Sequence, residues 1–156
     1  MDEDYGEEVL VGGLDTWRDM EVQVTLDSGC CKHVLPADAA PGYDIVDSPG
    51  SRQGRNFVVG NGETVANEGQ VRLNLATGTE PGAEVMNSTF QVAELNRPLM
   101  SVSQICSHGH KCVFERGQAL VIAENGDTLA KFEEDGGLYV ATFVLKAPTP
   151  FQRQVR

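Results

Sequence analysis

The chain has 156 residues, enough for one domain that buries its own core without metal or disulfide support. Lys and Arg number 12 against 23 Asp and Glu, a net charge of -11 that argues against a nucleic-acid or anionic-membrane surface. No apolar run reaches the length of a membrane span, the acidic start is the opposite of a signal-peptide n-region, and four cysteines make no disulfide framework in a chain this long. These features predict an intracellular, cytoplasmic protein with free thiols.

Residues 1–8 carry five carboxylates and almost nothing apolar, which predicts a solvated acidic tail. The folded domain is expected over residues 9–146. Its first clear element is Val22-Gln23-Val24-Thr25-Leu26, whose alternation reads as a half-buried strand running directly into Asp27-Ser28-Gly29. A carboxylate at the end of an apolar strand is costly unless it has a task, and Gly29 and Ser28 suit a fixed turn around it. The plainer reading is an Asx turn that closes a strand. Cys30 and Cys31 follow, with His33 close by; residues two or three apart on an extended chain do not place a base on a thiol, so a cysteine protease is not favoured.

Asn61-Gly62, between Phe57-Val58-Val59 and Val65-Ala66, is a strong hairpin signal, and its Gly-rich tip suits a flap that folds over an extended peptide. Short alternating segments recur at 70–75, 88–92, 119–122 and 138–145, separated by Gly, Asn and Pro. Between them, Ser101 to Ser107 is the one helix candidate, with Val102, Ile105 and Cys106 on one face and Gly109 as a stop. Cys106, His108, His110 and Cys112 raise a metal question. Structural zinc usually draws on two separated ligand pairs, so the expectation is no metal and no cofactor. Residues 147–156, Pro-interrupted and basic, are expected to be a C-terminal tail or linker.

Taken in order, the strand-Asp27-Ser28-Gly29 turn, the 57–65 hairpin, the Leu99-Met100-Ser101-Val102 segment with its helix, and the closing Gly137-Leu138-Tyr139-Val140 resemble the retropepsin-like aspartic proteases, in particular those of copia-type retrotransposon polyproteins. The matches span roughly residues 17–145. The resemblance implies a mostly β, retropepsin-like closed barrel lobe with one short helix near 101–108 and an extra C-terminal β-hairpin region. It implies an aspartic endopeptidase that processes its own polyprotein, in the cytoplasm or within retrotransposon particles. Asp27 would be catalytic and Ser28 and Gly29 would form the active-site turn. Val59, Gly60, Asn61 and Gly62 would be the flap, and Leu99, Met100 and Ser101 would pack beneath the turn.

Peptide hydrolysis by this route needs two carboxylates about a hydrogen bond apart, and the chain supplies one Asp-Ser/Thr-Gly. An active enzyme is therefore expected to be a homodimer acting on a polypeptide substrate, with no nucleic-acid or membrane partner. The extension after Val113 falls where minimal enzymes of this type build their dimer sheet. It motivates the alternative of a catalytically inactive, monomeric remnant that serves as an interaction module.

Overall fold

The computed structural model describes residues 17–152. The 1–8 tail therefore lies outside the described residues. The protein is mostly β; the described residues form one large mixed sheet, a separate two-stranded hairpin, two short α-helices and one 3-10 turn at Pro150–Gln152. In chain order the strands are β1 (Met20–Asp27), β2 (Val34–Leu35), β3 (Asn56–Val58), β4 (Thr64–Ala66), β5 (Gly69–Ala76), β6 (Val85–Val92), β7 (Leu99–Ser101), β8 (Lys111–Glu115), β9 (Gln118–Ile122), β10 (Thr128–Asp135) and β11 (Leu138–Leu145). The helices are α1 (Pro49–Arg52) and α2 (Val102–Ser107).

The sheet runs β1-β7-β2-β6-β5-β11-β10-β9-β8, and β11 pairs with β1 as well as with β5. That extra pairing returns the hydrogen-bond path to its first strand. β1 is held on both sides: antiparallel to β11 from Met20↔Leu145 to Thr25↔Val140, and parallel to β7 at Thr25↔Leu99, Leu26↔Met100 and Asp27↔Ser101. The closure is irregular, since β2 has two residues and β5 meets β11 through two residue pairs.

Alternation explains the packing. Val22, Val24 and Leu26 of β1, Val71, Leu73 and Leu75 of β5, and Phe90 and Val92 of β6 point inward with Phe132 and Phe143. Phe90, Phe132 and Phe143 are the largest fully buried side chains, and the last two meet edge to face at 6.0 Å.

Two loops share one chemistry. In Val59–Glu63, the Gly62 N–H bonds the Val59 carbonyl, the Val59 N–H bonds the Glu63 carbonyl, and Asn61 Oδ1 accepts from Glu63 N at 2.9 Å. Ala123–Asp127 repeats the pattern through Asn125 and Gly126. Gly62 and Gly126 sit at φ of 86° and 94°, so each Asn-Gly occupies the end of a three-residue loop rather than a tight two-residue turn.

Residues 147–152 depart from the expected tail. Pro148 and Gln152 are buried. The Gln152 side chain exchanges hydrogen bonds with Asn74, at 2.7 Å to its Oε1 and 2.9 Å from its Nε2, and also accepts from Thr149 N. The Asn74 amide further reaches the Ala147 carbonyl. Composition suggested a linker here, but the amide pair of buried Gln152 and half-buried Asn74 fastens the segment to β5. Helix α1 also had no apolar signal; Ser48 and Ser51 close it with a reciprocal capping box ahead of Pro49. Among the described residues no helix is long and apolar enough to cross a membrane.

Candidate active site

β1 ends at Asp27, which is half-buried, and the next residues turn away from the sheet. Gly29 donates its backbone N–H to Asp27 Oδ1 at 2.8 Å. A Cβ on Gly29 would stand 3.3 Å from that same oxygen, so the residue's smallness keeps the carboxylate and the turn in register. Ser28 is exposed beside it.

The turn is held from below by the start of α2. Ser101, fully buried, caps the helix by accepting from Gln104 N at 3.1 Å and donates its hydroxyl to the Cys30 carbonyl at 2.6 Å. Its own N–H goes to His33 Nδ1 at 2.9 Å, and Gln104 Oε1 takes the His33 N–H at 2.8 Å. Of the three residues expected to pack under the turn, Met100 is buried beside Leu26 and Ser101 lies in register with Asp27, whereas Leu99 is half-buried and lines the cavity in front of it. Ser101→Ala removes a helix cap and leaves the Cys30 carbonyl without its donor. The expected loss is about 2 kcal/mol, seen as a lower urea midpoint at unchanged slope. A variant as stable as wild type would show that the turn is held by something else.

His33 is buried against Phe90, ring centroids 5.2 Å apart. Burial first, then the nearby His108 and Lys32, lowers its pKa from 6.5 to about 4. The ring is therefore neutral at pH 7, and because Nδ1 accepts from Ser101 the proton sits on Nε2. Burial likewise raises the Cys30 thiol, whose Sγ donates to the Lys32 carbonyl at 2.8 Å. A protonated, hydrogen-bonded thiol is a poor nucleophile.

Asp27 and Ser28 open onto a cavity of about 760 Å³. Thr25, Leu26 and Leu99 line it from the central strands, and Leu95, Asn96 and Arg97 from the loop before β7. The remaining lining comes from Phe114 on β8 and from Leu138 and Tyr139 on β11. Phe114 and Tyr139 meet edge to face at 5.2 Å, and Tyr139 donates its hydroxyl to the Glu115 carbonyl. Asp27 is the one carboxylate among the lining residues and Arg97 the one cation. Sequence reasoning missed Arg97, Phe114, Leu138 and Tyr139, which the β8–β11 hairpins and the β7 approach bring to Asp27 from distant positions.

The expected flap is a hairpin, with Asn56↔Ala66, Phe57↔Val65 and Val58↔Thr64 paired in a sheet of its own. Its tip residues Val59, Gly60, Asn61 and Gly62 do not line the Asp27 cavity. The base explains the placement: Asn67 N bonds the Arg55 carbonyl, while the Asn67 side chain joins Ser48, Gly69 and Gln91. In the helix, Ile105 is buried but Cys106 is exposed, so the apolar face is narrower than its periodicity suggested. His108 caps the C-terminus with Nδ1 2.8 Å from the Gln104 carbonyl. Among the described residues no group of three or more His, Cys, Asp or Glu is arranged to hold a metal ion.

Comparison with protein-family models, characterised proteins and solved structures finds no match to this chain. The site's chemistry must be read from its own geometry: a carboxylate with one backbone donor, a rigid support, and an open cavity with apolar and aromatic walls.

Proposed function

We propose that the chain is a retropepsin-like aspartic endopeptidase of a copia-type retrotransposon polyprotein, active as a homodimer. The observation that carries this reading is Asp27, fixed by Gly29 N–H and the Ser101 support at the mouth of the larger cavity. On this reading the ring β1-β7-β2-β6-β5-β11 is the closed lobe and the 56–66 hairpin is the flap, which would reach substrate in the assembled dimer.

One carboxylate per chain cannot act as both acid and base. In the dimer, Asp27 and the partner subunit's Asp27 would share one proton across the two-fold axis. The ionised member takes a proton from water as the water oxygen attacks the scissile carbonyl carbon, and the protonated member gives its proton to the carbonyl oxygen. Collapse of the tetrahedral intermediate breaks the C–N bond: the newly protonated carboxyl gives its proton to the leaving amine, and the now ionised member takes back a hydroxyl proton, which restores the shared-proton pair. Phe114, Leu138, Tyr139 and Leu99 would offer apolar surface to substrate side chains.

The test is sedimentation velocity across protein concentration and pH 4 to 7, run beside cleavage of an unbiased peptide library. Cleavage that rises with the square of total concentration below the dimer dissociation constant is expected. An inert monomer at every pH and concentration would overturn the reading. The exposure of Phe114 and Leu138, 44% and 40%, beside Asp27 favours one second reading, an interaction module that uses the same face to hold an apolar segment without cleaving it. Uncleaved peptides retained by the monomer would identify that case.

A further inference from the structure

A second cavity, about 360 Å³, shares the supports of the Asp27 turn, His33, Met100 and Gln104, but not Asp27 itself. Its apolar lining includes Met86, Ile105, Val121 and Leu129. Its charged and titratable lining is Arg72, His33, His108 and His110, all three histidines of the chain, and no carboxylate. In a protein of net charge -11, Arg72 with no carboxylate among its cavity neighbours makes a local site for an anion.

The donors are fixed by their neighbours. The bond from Ser101 N to His33 Nδ1 leaves the imidazole proton on Nε2. The Gln104 carbonyl can only accept, so His108 carries a proton on Nδ1 and spends it on that carbonyl. Arg72 Nη1 donates to Thr89 Oγ1 at 3.1 Å, and Thr89 lines the cavity, so the guanidinium is held at its rim. His110 Nδ1 is buried with no hydrogen-bond partner among the described residues.

The strand edge adds a second, independent feature. β6 is paired to β5 along its whole length, but β2 covers only Gln91 and Val92 on the other side. Gln91 N–H points to the His33 carbonyl, and alternation puts the N–H groups of Asn87 and Thr89 on that same edge, where both residues line the cavity.

We propose that this cavity binds a carboxylate carried on a short apolar stem. The carboxylate is taken by Arg72 at the rim, where a guanidinium can offer two parallel N–H donors, and the stem lies on Met86, Ile105, Val121 and Leu129. The volume, 360 Å³, falls within the range of small-molecule sites. A free short-chain acid and the C-terminal apolar residue of a peptide present the same chemistry. The site does not depend on the proteolytic reading.

The experiment is an amide NMR titration of the full chain at pH 7 with hexanoate, hexanol and an N-acetylated tripeptide ending in a leucine carboxylate. Saturable shifts at Asn87, Thr89, Gln104 and Ile105 are expected with hexanoate, and binding at least tenfold weaker with hexanol. Arg72 is exposed, so Arg72→Gln should fold normally and weaken hexanoate about tenfold, while Asp27→Asn leaves it unchanged. Tighter binding of the tripeptide than of hexanoate assigns the site to peptide termini, and the reverse assigns it to free acids. No shifts at these amides, hexanol binding as tightly as hexanoate, or unchanged affinity in Arg72→Gln would overturn the proposal.

Discussion

Asp27→Asn is expected to lower peptide cleavage by about three orders of magnitude or more while leaving the fold in place. The first half follows from the chemistry: an amide can neither take a proton from water nor share one with its partner, and a positioned acid–base group accounts for about 10² to 10⁴ in rate. With both sites of the dimer changed, no acid or base remains at the reacting atoms. The second half follows from the local geometry. The accepting oxygen that holds Gly29 N–H at 2.8 Å survives as the amide oxygen, so the turn keeps its bond. Unfolding in urea should shift by less than about 0.5 kcal/mol. Mixing wild type with an excess of Asp27→Asn should suppress cleavage beyond simple dilution, because a mixed dimer carries one carboxylate. Activity that survives the substitution, or that falls only in proportion to dilution on mixing, would place the chemistry elsewhere.

The second large effect is a loss of stability in acid centred on His33. Its ring is neutral in the folded protein down to about pH 4, whereas the unfolded chain takes a proton near 6.5. Between those values the unfolded state binds more protons, so stability falls as pH falls. The loss begins near 6.5 and is complete below about 4, where both states are protonated. Integrated over that interval it amounts to about 3 kcal/mol. The cause is mainly desolvation among Phe90 and the turn, with the electrostatic influence of the nearby His108 and Lys32 acting in the same sense. His33→Gln keeps an acceptor for Ser101 N–H but cannot titrate, and should reduce the pH dependence of unfolding in this window by close to one proton. An unchanged slope, or direct NMR titration of His33 near 6.5, would refute it. Acid conditions that suit a shared-proton dyad thus weaken the support beneath Asp27.

Local chemistry was readable where it was written in adjacent residues. The alternation in 22–26 gave β1, Ser101 and Gly109 bracketed α2, and Asn61-Gly62 marked a hairpin, because each signal is satisfied within a few residues. The site's surroundings were not readable for the opposite reason. Arg97, Phe114 and Tyr139 reach Asp27 only through strand order, and nothing in a local pattern says that β7 lies parallel to β1 or that β8–β11 fold back beside it. The role of Ser101 was only half legible. The helix was expected to begin at it, but its cap on Gln104 N was not read, and its hold on Cys30 and its link to His33 are long-range bonds. Asn67 and Gln152 were overlooked because a structural amide has no sequence signature until its partners are known.

The pairing of β1 sets an order of assembly. Val22 lies opposite Phe143 and Asp27 lies beside Ser101, so the strand that carries the carboxylate is made early and waits for two partners made later. Its neighbours are distant in sequence on both sides, which makes closure of the sheet a slow, non-local event. A chain emerging from the ribosome has no supported Asp27 turn until Ser101 and Gln104 have left the exit tunnel, and β1 gains its second partner only with β11. Any cleavage this carboxylate performs is thereby postponed until α2 has been synthesised, a delay set by strand order itself.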